Sequence, residues 1–250
     1  EVNPGVPVRE NVEVAIQSLG LRDIGSFDPA DRIIEWRITS DGPLVSMTGR
    51  DFVDTLSSDA PAPGGGSVAA LCGAMSAALS AMVGSLTSGK KAYADIAEAH
   101  NENAVVAQQL KDAFLHDIDA DTAAFNEIMS AMGLPKKTDA DKAARRAAIQ
   151  SATRLAIEVP LAVLERSVTA IACAEVAATG NTNARSDAGV AGLTARACAE
   201  GAYYNVRINL DGFKDDQFAA TARQRAERAL SAVTQRADAL AAQMRSELPK

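Results

Sequence analysis

An aspartate stands where an apolar residue belongs. Phe114, Ile118, Phe125, Ile128 and Met132 keep the alternating four- and three-residue spacing of one helix face only if position 121 is counted with them, and position 121 is Asp. Residues three and four apart share a side of a helix, so Asp121 is expected to face the core. Desolvation of an unpaired carboxylate disfavours its charged form and raises its pKa. That is the condition for taking and returning a proton near neutrality. A structural Asp bonded to an arginine or to a helix N-terminus would account for the same placement. His116, Asp117 and Asp119 fall off the stripe and are expected on the solvent face.

A second cluster is Pro61-Ala62-Pro63-Gly64-Gly65-Gly66-Ser67, a rigid-then-flexible turn that feeds a helix. Three glycines let backbone N–H groups approach a ligand, and the helix N-terminus adds partial positive charge suited to a carboxylate or a polarised carbonyl. A plain tight turn with Ser67 as N-cap explains the same residues. A third cluster, Gly180 to Asp187 (GNTNARSD), packs hydrogen-bonding groups between two helices. Asn181 and Asp187 could read the edge of a heterocycle, or Ser186 or Asp187 could cap the next helix. Lys136, Lys137, Arg145 and Arg146 form a basic group in an acidic chain, suited to carboxylates or to a solvated face. Gly84 to Lys91 (GSLTSGKK) nearly matches a phosphate loop, but Lys91 stands where Ser or Thr must hold magnesium, and the segment ends a helix. Gly89 is better taken as a helix C-cap, with Lys90 and Lys91 at the negative end of the dipole or reaching an anionic ligand.

Helices must position these groups. The 250 residues are 47% hydrophobic but only 4% aromatic, so the core is built from Ala, Val, Leu and Ile, which suits closely packed helices. Breakers divide the chain into helical stretches of roughly 48–57, 67–89, 92–132, 139–178, 186–210 and 216–247, with no sustained strand alternation. The expected fold is all-α: a multi-helical up-and-down bundle of long antiparallel helices at 47–250, behind a short N-terminal appendage at 1–46. In the appendage Asp28-Pro29 marks a helix start, and Ile33, Ile34 and Trp36 could bury it; Thr39 to Pro43 reads as a linker. Thr138 with Asp139 and Asp141 starts a capped helix, and Pro160 should kink it near Glu158-Val159. Gly73, Ala77 and Ala81 form a smooth stripe for a neighbouring helix.

A formal charge of −7 argues against nucleic-acid binding. Cys72, Cys173 and Cys198 form no CxxC pair and suit a reduced, cytoplasmic protein without disulfides, and neither His100 nor His116 has a histidine partner at i+3 or i+4, so no metal site is expected. Ser67 to Ser88 is uncharged and long enough to cross a bilayer, yet its Ala, Gly and Ser content favours a buried helix and no membrane role.

Taken in order, PAPGGGSVAAL, LTSGKKAY, DADTAAF, LPKKT, AIQ followed by VPL, GNTNARSD and NVRINL resemble the cyclodeaminase domain of formimidoyltransferase-cyclodeaminase and the stand-alone methenyltetrahydrofolate cyclohydrolases, over about residues 48–245. Residues 15–38 resemble the C-terminal tail of the formimidoyltransferase half, which tilts the expectation toward cyclodeaminase. The resemblance implies a tetrahydrofolate derivative, with its polyglutamate tail, as substrate, and no tightly bound cofactor. It implies a homodimer or higher homo-oligomer, with the small-residue helix as a candidate seam, and a formimidoyltransferase that supplies substrate. The family's catalytic Asp falls on Asp121, the residue the stripe already singled out. Substrate-binding positions implied are Gly64, Gly65, Gly66, Ser67, Lys90, Lys91, Lys136, Asn181, Ser186, Asp187 and Asn205. Asn183 and Lys137 are not carried over, because the family pattern is loose there. The expected reaction is cyclodeamination of 5-formimidoyltetrahydrofolate to 5,10-methenyltetrahydrofolate and ammonia. Its rivals are methenyltetrahydrofolate cyclohydrolase and, from another class, a non-catalytic helical dimerisation scaffold.

Overall fold

The computed structural model describes residues 5–23, 25–34, 36 and 42–247, and no strand occurs among them. Helices α1 (Val8–Ser18) and α2 (Pro29–Arg32) belong to the N-terminal appendage; α3 (Gly49–Leu56), α4 (Gly65–Ser88), α5 (Ala97–Met132), α6 (Asp139–Ala178), α7 (Arg185–Asn209) and α8 (Asp216–Glu247) follow. Short 3₁₀ turns at Lys91–Ile96 and Thr182–Ala184 join α4 to α5 and α6 to α7. Helices α4 to α7 form an antiparallel four-helix bundle in which each packs on its neighbours in order and α7 closes back on α4; α8 lies along α6 and α7.

Small residues set the spacing. A Cβ at Gly73 would stand 2.6 Å from the Phe114 ring, and one at Gly84 would stand 2.7 Å from the His100 carbonyl, so α5 rests directly on the α4 backbone. Ala77 and Ala81 are buried with Gly73, which assigns the small-residue stripe to packing within the chain. Phe114, Ile118, Ile157, Leu161, Leu164 and Ile171 fill what space remains. By length and composition α4 could cross a membrane, but 61% of its most apolar window is buried inside the bundle.

The local signals act as their chemistry predicts. Thr138 and Asp141 form a capping box at the start of α6. Asp28 caps α2 by accepting from the Ala30 N–H at 2.9 Å. Gly89 and Gly133 end α4 and α5, and Arg145 donates to the Met132 carbonyl at 3.1 Å, satisfying the α5 terminus. Pro160 lies inside α6, which continues as one helix to Ala178. All three cysteines are free thiols, and burial pushes Cys173 up to about 11.

Three expectations are overturned. Ile34 is exposed and cannot anchor the appendage. Asp117 is buried and paired with Arg166 of α6 at 2.5 Å, so it belongs to the interior. Asp119 accepts from the Leu44 and Val45 N–H groups at 2.9 and 3.2 Å, tying the segment before α3 to the bundle instead of facing water. His116 alone of that trio is exposed. Residues 39–41 of the expected linker lie outside the described residues.

Candidate active site

Asp121 sits where the α5 stripe leaves the core. Phe114 and Ile118, N-terminal to it, are fully or nearly fully buried, whereas Phe125 and Met132 are exposed. The stripe therefore runs out of the packed interior into a pocket of about 150 Å³, and Asp121 is half-buried in its wall. That corrects the expectation of a carboxyl enclosed in hydrocarbon. The partial burial still acts: desolvation raises the Asp121 pKa, opposed by the Ser67 backbone N–H beside it.

The N-terminus of α4 supplies the opposite side. None of Gly64, Gly65 and Gly66 has positive φ, so conformational freedom is not what the glycines provide. Space is. A Cβ at Gly66 would lie 2.1 Å from Asp121 Oδ1 and 2.4 Å from its Cγ, so the carboxyl occupies the volume a side chain would need. Ser67 does not cap the helix. Gly64 holds that position, and the Ser67 hydroxyl, wholly buried, donates to the Ile118 carbonyl at 2.9 Å while lying 3.4 Å from Thr122 Oγ1. Ser67 thus locks α4 to the turn of α5 that carries Asp121.

Helix α7 contributes Asn205 and Asn209, one turn apart, with Nδ2 donating to Gly201 O at 2.8 Å and Ala156 O at 2.7 Å respectively. Thr122, Phe125, Ile128 and Ala156 also line the pocket. Asn209 was legible only as the second asparagine of NVRINL at helical i+4 spacing, and Ala156 carried no signal of its own. A separate, larger open groove of about 640 Å³ lies along the α5–α6 seam, lined by Glu127, Leu134 and Arg154 among others.

The remaining expected residues lie elsewhere. Helix α4 has 24 residues, about 36 Å at 1.5 Å per residue, and Lys90 and Lys91 follow its far end, exposed. Asn181 is at that end too. It is consumed structurally: its N–H donates to Thr87 Oγ1 at 2.9 Å, its Nδ2 to the Leu86 carbonyl at 3.2 Å, and its Oδ1 accepts from Asn183. Ser186 and Asp187 occupy the first turn of α7, whose N-cap is Ala184, so neither caps it. Within one chain these five residues cannot reach the Asp121 pocket, because the helices that separate them are rigid rods. Lys136 is exposed in the α5–α6 turn, on the Asp121 side of the bundle.

The all-α bundle holds a half-buried carboxyl against a glycine helix start, with no ion-pair partner for it among the described residues, an arrangement of the class that can exchange a proton with a ligand. Comparison with known proteins makes the assignment specific. The formiminotransferase-cyclodeaminase family profile matches residues 48–228, and the chain belongs to that family. It is 40% identical over 220 residues to formimidoyltransferase-cyclodeaminase of Sus scrofa, covering 86% of this chain and 40% of the relative. It is 45% identical over 169 residues to methenyltetrahydrofolate cyclohydrolase of Methylorubrum extorquens, covering 67% of this chain and 81% of the relative. The solved formiminotetrahydrofolate cyclodeaminase of Thermotoga maritima superposes with a TM-score of 0.68 at 26% identity, over 80% of this chain and 98% of that one. The chain spans about two fifths of the length of the formimidoyltransferase-cyclodeaminases it matches.

Proposed function

We propose that the chain is a cyclodeaminase that converts 5-formimidoyltetrahydrofolate to 5,10-methenyltetrahydrofolate and ammonia. The observation that carries this is Asp121: a carboxyl whose pKa burial raises, packed against Gly66, lining a pocket and without an ion-pair partner among the described residues. N10 attacks the formimidoyl carbon and its proton passes to the Asp121 carboxylate. The same carboxyl returns the proton to the amine of the tetrahedral intermediate, the C–N bond breaks and ammonia leaves. The first turn of α4 lies beside the reacting atoms, and Lys136 is within reach of an extended glutamate tail.

Supplying purified protein with the formimidoyl substrate, and following methenyl absorbance together with ammonia, tests the reading. Stoichiometric release of both, abolished in Asp121→Asn, is expected; near-normal turnover in that variant would remove Asp121 from the mechanism. Methenyltetrahydrofolate cyclohydrolase is the second reading, favoured by the 45% identity to an enzyme of that name of which the chain covers 81%. Loss of absorbance from added 5,10-methenyltetrahydrofolate, with no ammonia released from the formimidoyl substrate, would select it.

The assembly we infer is a cytoplasmic homodimer joined through the outer faces of α4 and α7. There Met75, Met82 and Leu86 stand exposed beside Val190 and Leu193, an unpartnered apolar surface of the kind that marks an interaction site. A dimer seam on this face, together with the position of Lys90, Lys91, Ser186 and Asp187 at the far end of the bundle, is compatible with those residues serving a neighbouring copy. Substrate supply by a formimidoyltransferase is supported by the resemblance of residues 15–38 to that enzyme's tail.

A further inference from the structure

Helix α6 contains one residue that cannot complete it. Pro160 has no N–H, so the carbonyl of Ala156, four residues earlier, lacks its helical donor. Ala156 is 6% exposed, and an unpaired carbonyl there is costly. Asn209 of α7 supplies the missing donor, with Nδ2 2.7 Å from Ala156 O. Because a carbonyl oxygen can only accept, this bond decides which end of the amide is which. The nitrogen is turned to α6, and Oδ1, which has no hydrogen-bond partner among the described residues, is free to accept from a ligand in the Asp121 pocket that Asn209 lines. Asn205 repeats the arrangement one turn earlier, its Nδ2 committed to Gly201 O. Two asparagines therefore line the pocket from α7, on the diagonal of the bundle from α5, each with its Nδ2 bonded to a backbone carbonyl and its Oδ1 without a partner among the described residues. With the Asp121 carboxyl they make a wall of acceptors, suited to a ligand group that donates N–H.

The reacting carbon of 5-formimidoyltetrahydrofolate carries such a group, a protonated nitrogen with two N–H bonds; the same carbon in 5,10-methenyltetrahydrofolate carries only C–H. We propose that Asn205 and Asn209 bind the formimidoyl nitrogen through their amide oxygens. Pro160 is then a positioning residue that acts through Asn209 by leaving the Ala156 carbonyl free to hold it. The inference rests on the cyclodeaminase reading and adds to it the groups that select the nitrogen-bearing substrate.

Pro160→Ala restores an N–H to the Ala156 carbonyl and releases Asn209. Melting temperature is expected to rise, since proline inside a helix is destabilising, while kcat/KM for ammonia release falls. Asn209→Leu removes the acceptor but orphans Ala156; the double variant Pro160→Ala/Asn209→Leu returns a partner to that carbonyl. Its stability is expected to recover while kcat/KM stays roughly 10- to 100-fold below wild type, the worth of a hydrogen bond to a charged group. Affinity for tetrahydrofolate, which lacks the formimidoyl group, should remain within about twofold of wild type, as no charge-assisted bond is lost there. Wild-type kcat/KM in the double variant, or an equal loss of tetrahydrofolate affinity, overturns the inference while leaving the cyclodeaminase reading intact. Absence of ammonia release from the wild-type protein overturns both.

Discussion

Gly66→Ala separates the placement of the acid from the stability of the fold. The added methyl would lie 2.1 Å from Oδ1, 2.4 Å from Cγ and 2.5 Å from Oδ2 of Asp121, all inside van der Waals contact. The carboxyl must withdraw by about 1 Å to reach an ordinary separation, and a reacting group misplaced by ~1 Å costs on the order of 10²-fold in rate. Folding hardly notices. Forcing Asp121 off its rotamer costs roughly 0.5–1.5 kcal/mol, while replacing glycine by alanine within a helix returns roughly 0.5–1 kcal/mol. Thermal unfolding followed by circular dichroism should therefore place the variant within a few degrees of wild type, while ammonia release drops about a hundredfold. Gly65→Ala is the comparator: its nearest atom would be Asn205 Nδ2 at 3.5 Å, an ordinary contact that leaves Asp121 in place, so a distinctly smaller loss is expected. Turnover in Gly66→Ala within about threefold of wild type would refute the assignment of Gly66 as the seat of the acid, because a displacement of ~1 Å is not compatible with so small a change.

Asp121→Asn is expected to be more stable than wild type at pH 7. The folded pKa of Asp121 lies above its ordinary value of 3.8, so the folded state binds its proton more tightly, and the resulting cost to stability is present above the folded pKa and vanishes below 3.8. Urea midpoints across pH 3 to 7 check this, and a difference independent of pH sinks it. His100 is buried, with Nε2 3.2 Å from Thr179 Oγ1 and Nδ1 unpartnered, and burial lowers its pKa from 6.5. Stability should fall as pH drops below 6.5, when the unfolded chain takes the proton first, and His100→Gln should flatten that limb; identical slopes in the two proteins would exclude His100 as the cause. Met82→Glu with Leu193→Glu should halve the mass measured by light scattering while the helical content is retained, and an unchanged mass would move the seam elsewhere.

Helix boundaries were legible because their signals are local. Thr138 with Asp141, Gly89, Gly133 and Asp28 each act through the neighbouring turn, and each stands where its chemistry predicts. Asp121 was legible for the same reason, since its face follows from helical spacing alone. What spacing could not give was the partner across the bundle. Asp117 looked solvent-facing because the stripe counts only apolar positions, and Arg166, which holds it inside, lies 49 residues away. The glycine helix start was expected to supply flexibility; its role is a vacancy filled by a carboxyl from another helix, which no one-dimensional pattern displays. Asn181 drew attention as part of a polar island, yet it serves the carbonyl and hydroxyl groups at the end of α4.

Two acids one turn apart on α5 show how surroundings divide structural from chemical roles. Burial raises the pKa of Asp117 and of Asp121 alike. Asp117 answers it with a guanidinium at 2.5 Å, a pairing in which protonation would strand the Arg166 charge. Asp121 has no ion-pair partner among the described residues, and it lines a pocket of about 150 Å³. A proton can therefore be exchanged at Asp121 without breaking an ion pair, whereas at Asp117 the same exchange would disrupt the α5–α6 contact. The three residues between these acids carry α5 from the packed core to the start of α4, and that step brings a carboxyl to the wall of the pocket.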